Sequence, residues 1–200
     1  MHAPNLEINA ACVGRDFLVE CIGTVDLGDI EKMRRRMWAG LNAAIRLGYR
    51  WAYWMLRLWW SVRHPHTRGA AVALWCEGRV LLVRASYRDC YTLPGGFVRR
   101  GEPPEQAARR ETLEEIGLDL PAEALHHTWQ GTVQYESRLD TVDIWEVALD
   151  EPPVIHVAGR EIVWAGWMDP SAALGRRLLP HIANYLAERG EAPADRHEYS

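Results

Sequence analysis

Three glutamates on a short predicted helix are the residues best suited to chemistry. Glu111, Glu114 and Glu115 fall within about 100° of one another when this stretch is drawn as an α-helix. Carboxylates at such spacing repel each other by roughly 0.2–0.5 kcal/mol, a cost that a solvated helix face would tolerate. A divalent cation would relieve the repulsion, because carboxylate oxygens are the ligands that Mg²⁺ and Mn²⁺ prefer. The spacing allows a metal site but does not by itself exclude a plain charged face.

Neighbouring residues favour the metal site. Gly95 and Gly96 lack side chains, so the backbone just before the helix would be able to approach a ligand closely. Arg110 lies four residues before Glu114, a separation that allows an ion pair across one helical turn. A cation held by the carboxylates would also bind phosphate oxygens on its open side. We therefore expect a metal-dependent site for a phosphorylated substrate.

The same stretch resembles the signature of the Nudix hydrolases, G-x5-E-x7-R-E-U-x-E-E-x-G-U, in which U is apolar. Seven matching fixed positions arise by chance on the order of 10⁻⁹ times per start position. One departure occurs at the first U, which here is Thr112. The resemblance implies a Nudix-type α/β/α sandwich with a mixed β-sheet, and hydrolysis of a nucleoside diphosphate linked to another moiety. The seven matches are Gly96, Glu102, Arg110, Glu111, Glu114, Glu115 and Gly117.

The resemblance also implies which atoms bind the metal. Glu111 and Glu115 would be the principal ligands of Mg²⁺ or Mn²⁺, with Glu114 as a further ligand and the carbonyl of Gly95 joining them. The metal would polarise the phosphorus and lower the pKa of a bound water molecule. The resulting hydroxide would attack one phosphorus while the metal stabilises the charge on the leaving phosphate.

Other motif positions receive catalytic or supporting roles from the same resemblance. Glu111 is the first candidate for the base that orients water, and Arg110 would assist catalysis by holding the carboxylates in place. Gly96 and Gly117 would maintain the shape of the loop and helix. Glu102 would support the same fold or serve the metal, and both roles remain open.

Residues outside the motif bear on the substrate. Arg84 and Arg88 precede the glycine loop and would donate to phosphate oxygens, unless they are ordinary surface arginines. Some Nudix enzymes that cut dinucleoside polyphosphates carry a tyrosine at a fixed distance after the motif, and Tyr135 stands at that distance. A tyrosine at a strand end is the alternative. Glu136 and Glu161 lie in predicted loops and would supply an extra carboxylate or remain surface residues.

Strand-like and helical segments alternate in a way that predicts a mixed α/β domain over residues 68–188. Pro103 and Pro104 suit the first turn of the motif helix, which would end near Ile116 with Gly117 as its left-handed cap. Residues 171–190 predict a closing helix that is kinked or broken near Pro180. Strands are predicted at residues 70–75, 79–85, 141–149 and 161–168, the first two as a hairpin.

A long amphipathic helix is predicted before this domain, over residues 31–62. The stretch from Lys32 to Cys76 contains no Asp or Glu, and tryptophans are frequent in it. Packing on the domain, pairing with a second subunit and contact with a membrane surface would each bury these tryptophans, and all three remain open. Residues 1–30 predict a poorly ordered extension, and residues 189–200 a frayed tail. One basic face of the predicted helix contains Lys32, Arg35, Arg46, Arg50 and Arg57.

Composition excludes several classes of protein. A net charge of −4 gives no sign of a nucleic-acid binder, so we expect a small nucleotide as the partner. Four scattered cysteines lack the spacing of a zinc site, and no secretory signal pattern is present, which predicts a cytoplasmic protein, with peripheral membrane contact open. A catalytically silent nucleotide sensor or a membrane-associated adaptor would also fit the fold. Sensors tend to lose motif carboxylates, so the complete set favours the hydrolase.

Overall fold

The computed structural model describes residues 27–157 and 160–191. Of the extension predicted over residues 1–30 and the frayed tail predicted over residues 189–200, residues 1–26 and 192–200 lie outside this range, whereas residues 27–30 and 189–191 are helical. The chain divides into two compact units, Met1–Leu41 and Asn42–Ser200. In the first unit the described residues are helical, and Glu31 pairs with Arg34 at 2.8 Å and with Arg35 at 3.1 Å.

Helix α1, Leu27–Arg63, begins four residues before the predicted start at residue 31 and ends one residue after the predicted end. It stops at His64, whose φ of 42° leaves the helical region, and Pro65 follows. Among the described residues, no helix is apolar enough over a sufficient length to cross a membrane. The predicted long amphipathic helix is confirmed.

A mixed sheet forms the centre of the second unit. Its strands follow the order β4-β5-β1-β2-β6, and β3 pairs with β1 outside this path. The pairing of β1 with β5 is parallel, whereas the other pairings are antiparallel. Strand β1 is buried on both faces, which explains its nearly continuous apolar sequence. The strands are β1 His66–Cys76, β2 Arg79–Ala85, β3 Gly95–Phe97, β4 His126–Tyr135, β5 Arg138–Leu149 and β6 Ile162–Met168.

The predicted hairpin is present, with β1 and β2 joined by Glu77 and Gly78. Both turn residues have positive φ, 49° and 73°, as a two-residue turn between twisted strands requires. Strand β4 was not predicted. It lies at one edge of the sheet and alternates between exposed and half-buried residues, so its apolar signal is weak.

Helices cover both faces of the sheet. Helix α2, Pro104–Ile116, buries Ala107, Ala108, Thr112 and Ile116 against one face. The Thr112 hydroxyl, at the position that departs from the motif, donates to the Ala108 carbonyl at 2.8 Å and is thereby satisfied. Gly117 ends the helix with a φ of 73°, as predicted.

The predicted closing helix is two helices, because the chain breaks before Pro180. They are α3, Pro170–Leu174, and α4, Pro180–Glu191. Helix α4 packs Ile182, Tyr185 and Leu186 on the face of the sheet opposite α2. The helix–sheet–helix layers confirm the predicted α/β/α sandwich.

Candidate active site

A cavity of about 370 Å³ brings the motif residues together. Its lining includes carboxylates from α2, glycines from β3, and three arginines, among them Arg138. Arg88 and Tyr135, both predicted to contact substrate, line it, as do Arg99 and Glu161. Arg84 is not part of the lining, and its buried Nε has no hydrogen-bond partner among the described residues. The motif residues in the lining are Gly95, Gly96, Glu111, Glu114 and Glu115.

Strand β3 fixes the position of Gly95 next to α2. Gly95 pairs with Ala71 of β1, and its backbone N–H donates to Oε2 of Glu115 at 3.0 Å. A Cβ at Gly95 would lie 2.3 Å from the carbonyl oxygen of Ala70, so no larger residue fits. The carbonyl of Gly95 was predicted as a metal ligand, whereas the contact seen in the structure is made by its amide.

Gly96 lies directly against the carboxylate of Glu111. A Cβ built on Gly96 would be 2.5 Å from Cδ of Glu111 and 2.8 Å from each carboxylate oxygen. The missing side chain therefore makes room for this carboxylate. The glycine is required for space, since Gly96 is not among the residues with positive φ.

Arg110 fastens the motif loop to the acidic face of α2. Its guanidinium donates to both oxygens of Glu102, at 2.8 and 3.0 Å, and to the carbonyl of Phe97 at 3.2 Å. It also donates to Oε1 of Glu111 and lies 3.7 Å from Glu114. Arg110 thus contacts all three of Glu102, Glu111 and Glu114.

Glu102 is hydrogen-bonded to Arg110 and to the loop backbone. The hydrogen bonds from Arg110 and from the backbone N–H of Arg99 lower the pKa of Glu102 to about 2. These bonds use both carboxylate oxygens, and Glu102 does not line the cavity. Of the two roles open from the sequence, the geometry therefore favours support of the loop.

Burial makes ionisation of the two principal glutamates less favourable. Burial raises the pKa of Glu115 well above its usual range, against the opposing effects of the Gly95 amide and Arg88. Burial also raises the pKa of Glu111, while Arg110 acts in the opposite direction. Glu114 is more exposed, with 54% of its side chain accessible. Buried carboxylates of this kind gain from a nearby cation.

The donor set fits a hard divalent cation. Glu111, Glu114 and Glu115 offer only carboxylate oxygens, the donors that suit Mg²⁺ and Mn²⁺. Within residues 27–157 and 160–191, no three His, Cys, Asp or Glu side chains already form a metal site. Arg110 holds one oxygen of Glu111, and the Gly95 amide holds one oxygen of Glu115.

Arg88 is held at the cavity by α1, a contact that the sequence did not predict. Its Nε donates to the hydroxyl of Tyr53 at 3.1 Å, and its guanidinium carbon lies 4.8 Å from the centre of that ring and 5.6 Å from the ring of Tyr87. The Tyr53 hydroxyl donates to Glu136 at 2.6 Å. Tyr53 shares one face of α1 with Tyr49 and Trp60, and this spacing was the available signal.

Of the remaining candidate residues, Tyr135 and Glu161 line the cavity and Glu136 does not. Burial raises the pKa of Tyr135 to about 12, and Arg138 lies over its ring at 5.4 Å. Glu161 lines the cavity and accepts a hydrogen bond from Tyr87 at 2.9 Å. Glu136 is bound by Tyr53 and by Arg138, which favours a structural role over that of an extra ligand.

Comparison with known proteins agrees with this geometry. The chain shares 42% identity over 45 residues with an ADP-ribose pyrophosphatase of Methanocaldococcus jannaschii, covering 21% of this chain and 27% of that protein. It shares 42% over 43 residues with an RNA pyrophosphohydrolase of Hydrogenovibrio crunogenus, covering 22% and 26%. The matched segments thus span about a quarter of the length of these relatives.

Solved structures show the same fold. A C. elegans Ap4A hydrolase in a binary complex has a TM-score of 0.54 and 22% identity, covering 62% of this chain and 95% of that one. The E. coli ORF135 protein has a TM-score of 0.54 and 24% identity, covering 67% and 98%. The family model described as NUDIX domain matches residues 65–188. By this match and by its sandwich fold, the chain belongs to the Nudix family.

Proposed function

We propose that this protein is a metal-dependent hydrolase that cleaves the pyrophosphate bond of a nucleoside diphosphate linked to another moiety. The observation that carries the proposal is one cavity in which Glu111, Glu114 and Glu115 face the arginines 88 and 99. Carboxylates for a cation and guanidinium groups for phosphate oxygens are the two requirements of pyrophosphate hydrolysis. The matched relatives named as pyrophosphatases support the same chemistry.

Each side chain has a defined task in this proposal. Tyr53 engages Nε of Arg88, which leaves the terminal guanidinium nitrogens to bind a phosphate. Arg110 holds Oε1 of Glu111, so Oε2 is the atom that would accept a proton from the attacking water. The raised pKa of Glu111 makes it a better proton acceptor. A divalent cation, when bound, supplies positive charge that favours attack on phosphorus.

The volume of the cavity supports a nucleotide as the substrate. A volume of about 370 Å³ lies within the usual range for pockets that bind molecules of this size. Tyr135 offers an aromatic surface for a base or second nucleoside, in line with the tyrosine of dinucleoside polyphosphate hydrolases. Contact between Tyr135 and the substrate is part of this proposal.

A substrate panel tests the proposed activity. The full chain would be incubated with Mg²⁺, Mn²⁺ or EDTA and with nucleoside triphosphates, dinucleoside polyphosphates, ADP-ribose, NADH and nucleotide sugars. Anion-exchange chromatography of the products would show which bond is cleaved. We expect metal-dependent turnover of at least one substrate class. Nucleotide binding without any turnover would reject the hydrolase and favour a sensor.

Replacing Gly96 by alanine is expected to lower kcat/KM about a hundredfold with little change in stability. The three atoms nearest to the new Cβ all belong to the end of the Glu111 side chain, the closest 2.5 Å away, so the carboxylate would be displaced. A misplacement of about 1 Å at a reacting group costs on the order of a hundredfold in rate. Initial rates and urea unfolding would be measured together.

The same change at Gly95 provides the contrast. Its Cβ would meet the backbone of Ala70 and Ala71, so Gly95→Ala should lower the free energy of unfolding by about 1–3 kcal/mol. Similar losses of stability in both variants would show that Gly96 does not serve Glu111 specifically.

Arg110→Lys is expected to reduce kcat/KM by about ten- to a hundredfold. Lysine keeps the charge but cannot bond both oxygens of Glu102 and reach Glu111 at once. The apparent affinity for Mg²⁺ should fall in parallel, which a metal titration would detect. Arg100→Lys, on an exposed neighbour outside the cavity, is the matched control. Equal rates for Arg110→Lys and this control would contradict the positioning role.

A further inference from the structure

Helix α1 has two different sides over residues 42–63. One side packs on the sandwich through Tyr49, Tyr53 and Trp60, of which Trp60 is buried. On the opposite side, Trp54 and Leu58 border a pocket with Glu136 and Ser137, but the large apolar side chains stay exposed. Its seven large apolar residues are between 42% and 72% exposed. We call this set the apolar face of α1: Leu47, Trp51, Trp54, Met55, Leu58, Trp59 and Val62.

The spacing of the apolar face is that of an amphipathic helix. Leu47, Trp51, Trp54, Leu58 and Val62 recur every three or four residues, so they form one continuous surface. Single exposed apolar residues are ordinary on a soluble protein, whereas a contiguous set of this size marks an interaction site. We therefore expect the apolar face of α1 to bind a partner.

Charge decides which kind of partner fits. Arg46, Arg50 and Arg57 lie along one edge of the apolar face, and Arg63 stands at its end. Arg57 reaches Glu136 at 3.6 Å, but α1 itself has no acidic residue after Glu31. A second copy of the helix would place arginine against arginine with no carboxylate from α1 to offset them. An anionic surface would instead attract the positive charge of these arginines.

We propose that the apolar face of α1 binds the surface of a lipid bilayer that carries anionic headgroups. Tryptophan is favoured at the interface between headgroups and acyl chains, and Trp51, Trp54 and Trp59 would insert there. Arginines beside them would contact lipid phosphates. A helix of this kind lies in the plane of the membrane, as expected where no described helix is able to cross one.

Flotation with vesicles tests the proposal on the full chain. Vesicles would contain phosphatidylcholine alone or with about one-third phosphatidylserine, at low and high salt. We expect the protein to float with the anionic vesicles and to dissociate as salt rises, because salt screens the headgroup attraction. Trp51→Asp should weaken binding by about tenfold or more, and Arg50→Ala by about fivefold.

A matched substitution outside α1 tests whether any loss of vesicle binding is specific to the apolar face. Val154 is 75% exposed and lies outside α1, so Val154→Asp should bind vesicles like the unmodified chain. Circular dichroism would confirm that all variants keep their fold. Failure of the full chain to float would overturn the proposal, as would equal binding by Trp51→Asp. A lipid-free dimer, seen by light scattering and dissociated by Trp51→Asp, would assign the face to a second copy instead.

Discussion

Glu115→Gln is expected to lower metal-dependent turnover by roughly a thousandfold, the equivalent of about 4 kcal/mol. The substitution keeps the size of the side chain and an oxygen for the Gly95 amide, which donates to Glu115 at 3.0 Å. It removes a negative charge from the proposed metal site. Turnover would be measured over a range of Mg²⁺ concentrations, so that weak metal binding is separated from loss of the chemical step.

Stability provides a second readout for the same variant. Burial raises the pKa of Glu115 above its value in the unfolded chain, so its ionised form destabilises the fold at neutral pH. Glutamine carries no charge, and Glu115→Gln should therefore be at least as stable as the unmodified chain in EDTA. Added Mg²⁺ should raise the melting temperature of the unmodified chain and have a smaller effect on the variant.

Glu105→Gln is the matched control for this experiment. Glu105 lies in the first turn of α2, on the same helix, but does not line the cavity. Its replacement should leave turnover nearly unchanged. Near-normal turnover by Glu115→Gln would count against the proposed metal site, and an equal loss in the control would mean that the helix as a whole is disturbed.

Trp60→Ala is expected to lower the free energy of unfolding by about 3–5 kcal/mol. Trp60 is 2% exposed, and its ring lies 6.1 Å from Phe97 between ring centres. The guanidinium of Arg138 stacks on it at 3.9 Å, so the truncation would also leave a buried charge without this contact. Such a loss is a large part of the 5–15 kcal/mol that stabilises a typical domain.

The adjacent tryptophan offers a close comparison. Trp59 is 50% exposed, and Trp59→Ala should change the free energy of unfolding by no more than about 0.5 kcal/mol. Urea unfolding of both variants would be followed by circular dichroism. Equal effects at the two positions would show that Trp60 does not fix α1 to the sandwich.

Local sequence signals predicted α2 and its surroundings well. Proline at the start and Gly117 at the end set the bounds of the helix, and the motif placed three glutamates on the side that lines the cavity. These features depend on residues that are close in sequence. The family and the sandwich fold predicted from them are confirmed by the matched domain and the structure.

Contacts between distant parts of the chain could not be predicted from local sequence patterns. The hydrogen bond of Tyr53 to Glu136 joins residues 83 positions apart, and no local pattern encodes it. Arg84 and Arg88 looked equivalent in the sequence, yet only Arg88 lines the cavity. Strand β4 was missed because an edge strand buries little apolar surface. The roles of the individual site residues remain predictions that the substitutions above would test.

Trp60 and Tyr53 also determine where a stable fragment of this protein should begin. The NUDIX match starts at residue 65, but the compact unit starts at Asn42. An excised fragment that begins at the family boundary would expose the Arg138 guanidinium and remove the hydroxyl that bonds to Arg88. The family segment is therefore shorter than the compact unit, and a fragment isolated for study should begin upstream of α1's inward-facing aromatic side chains.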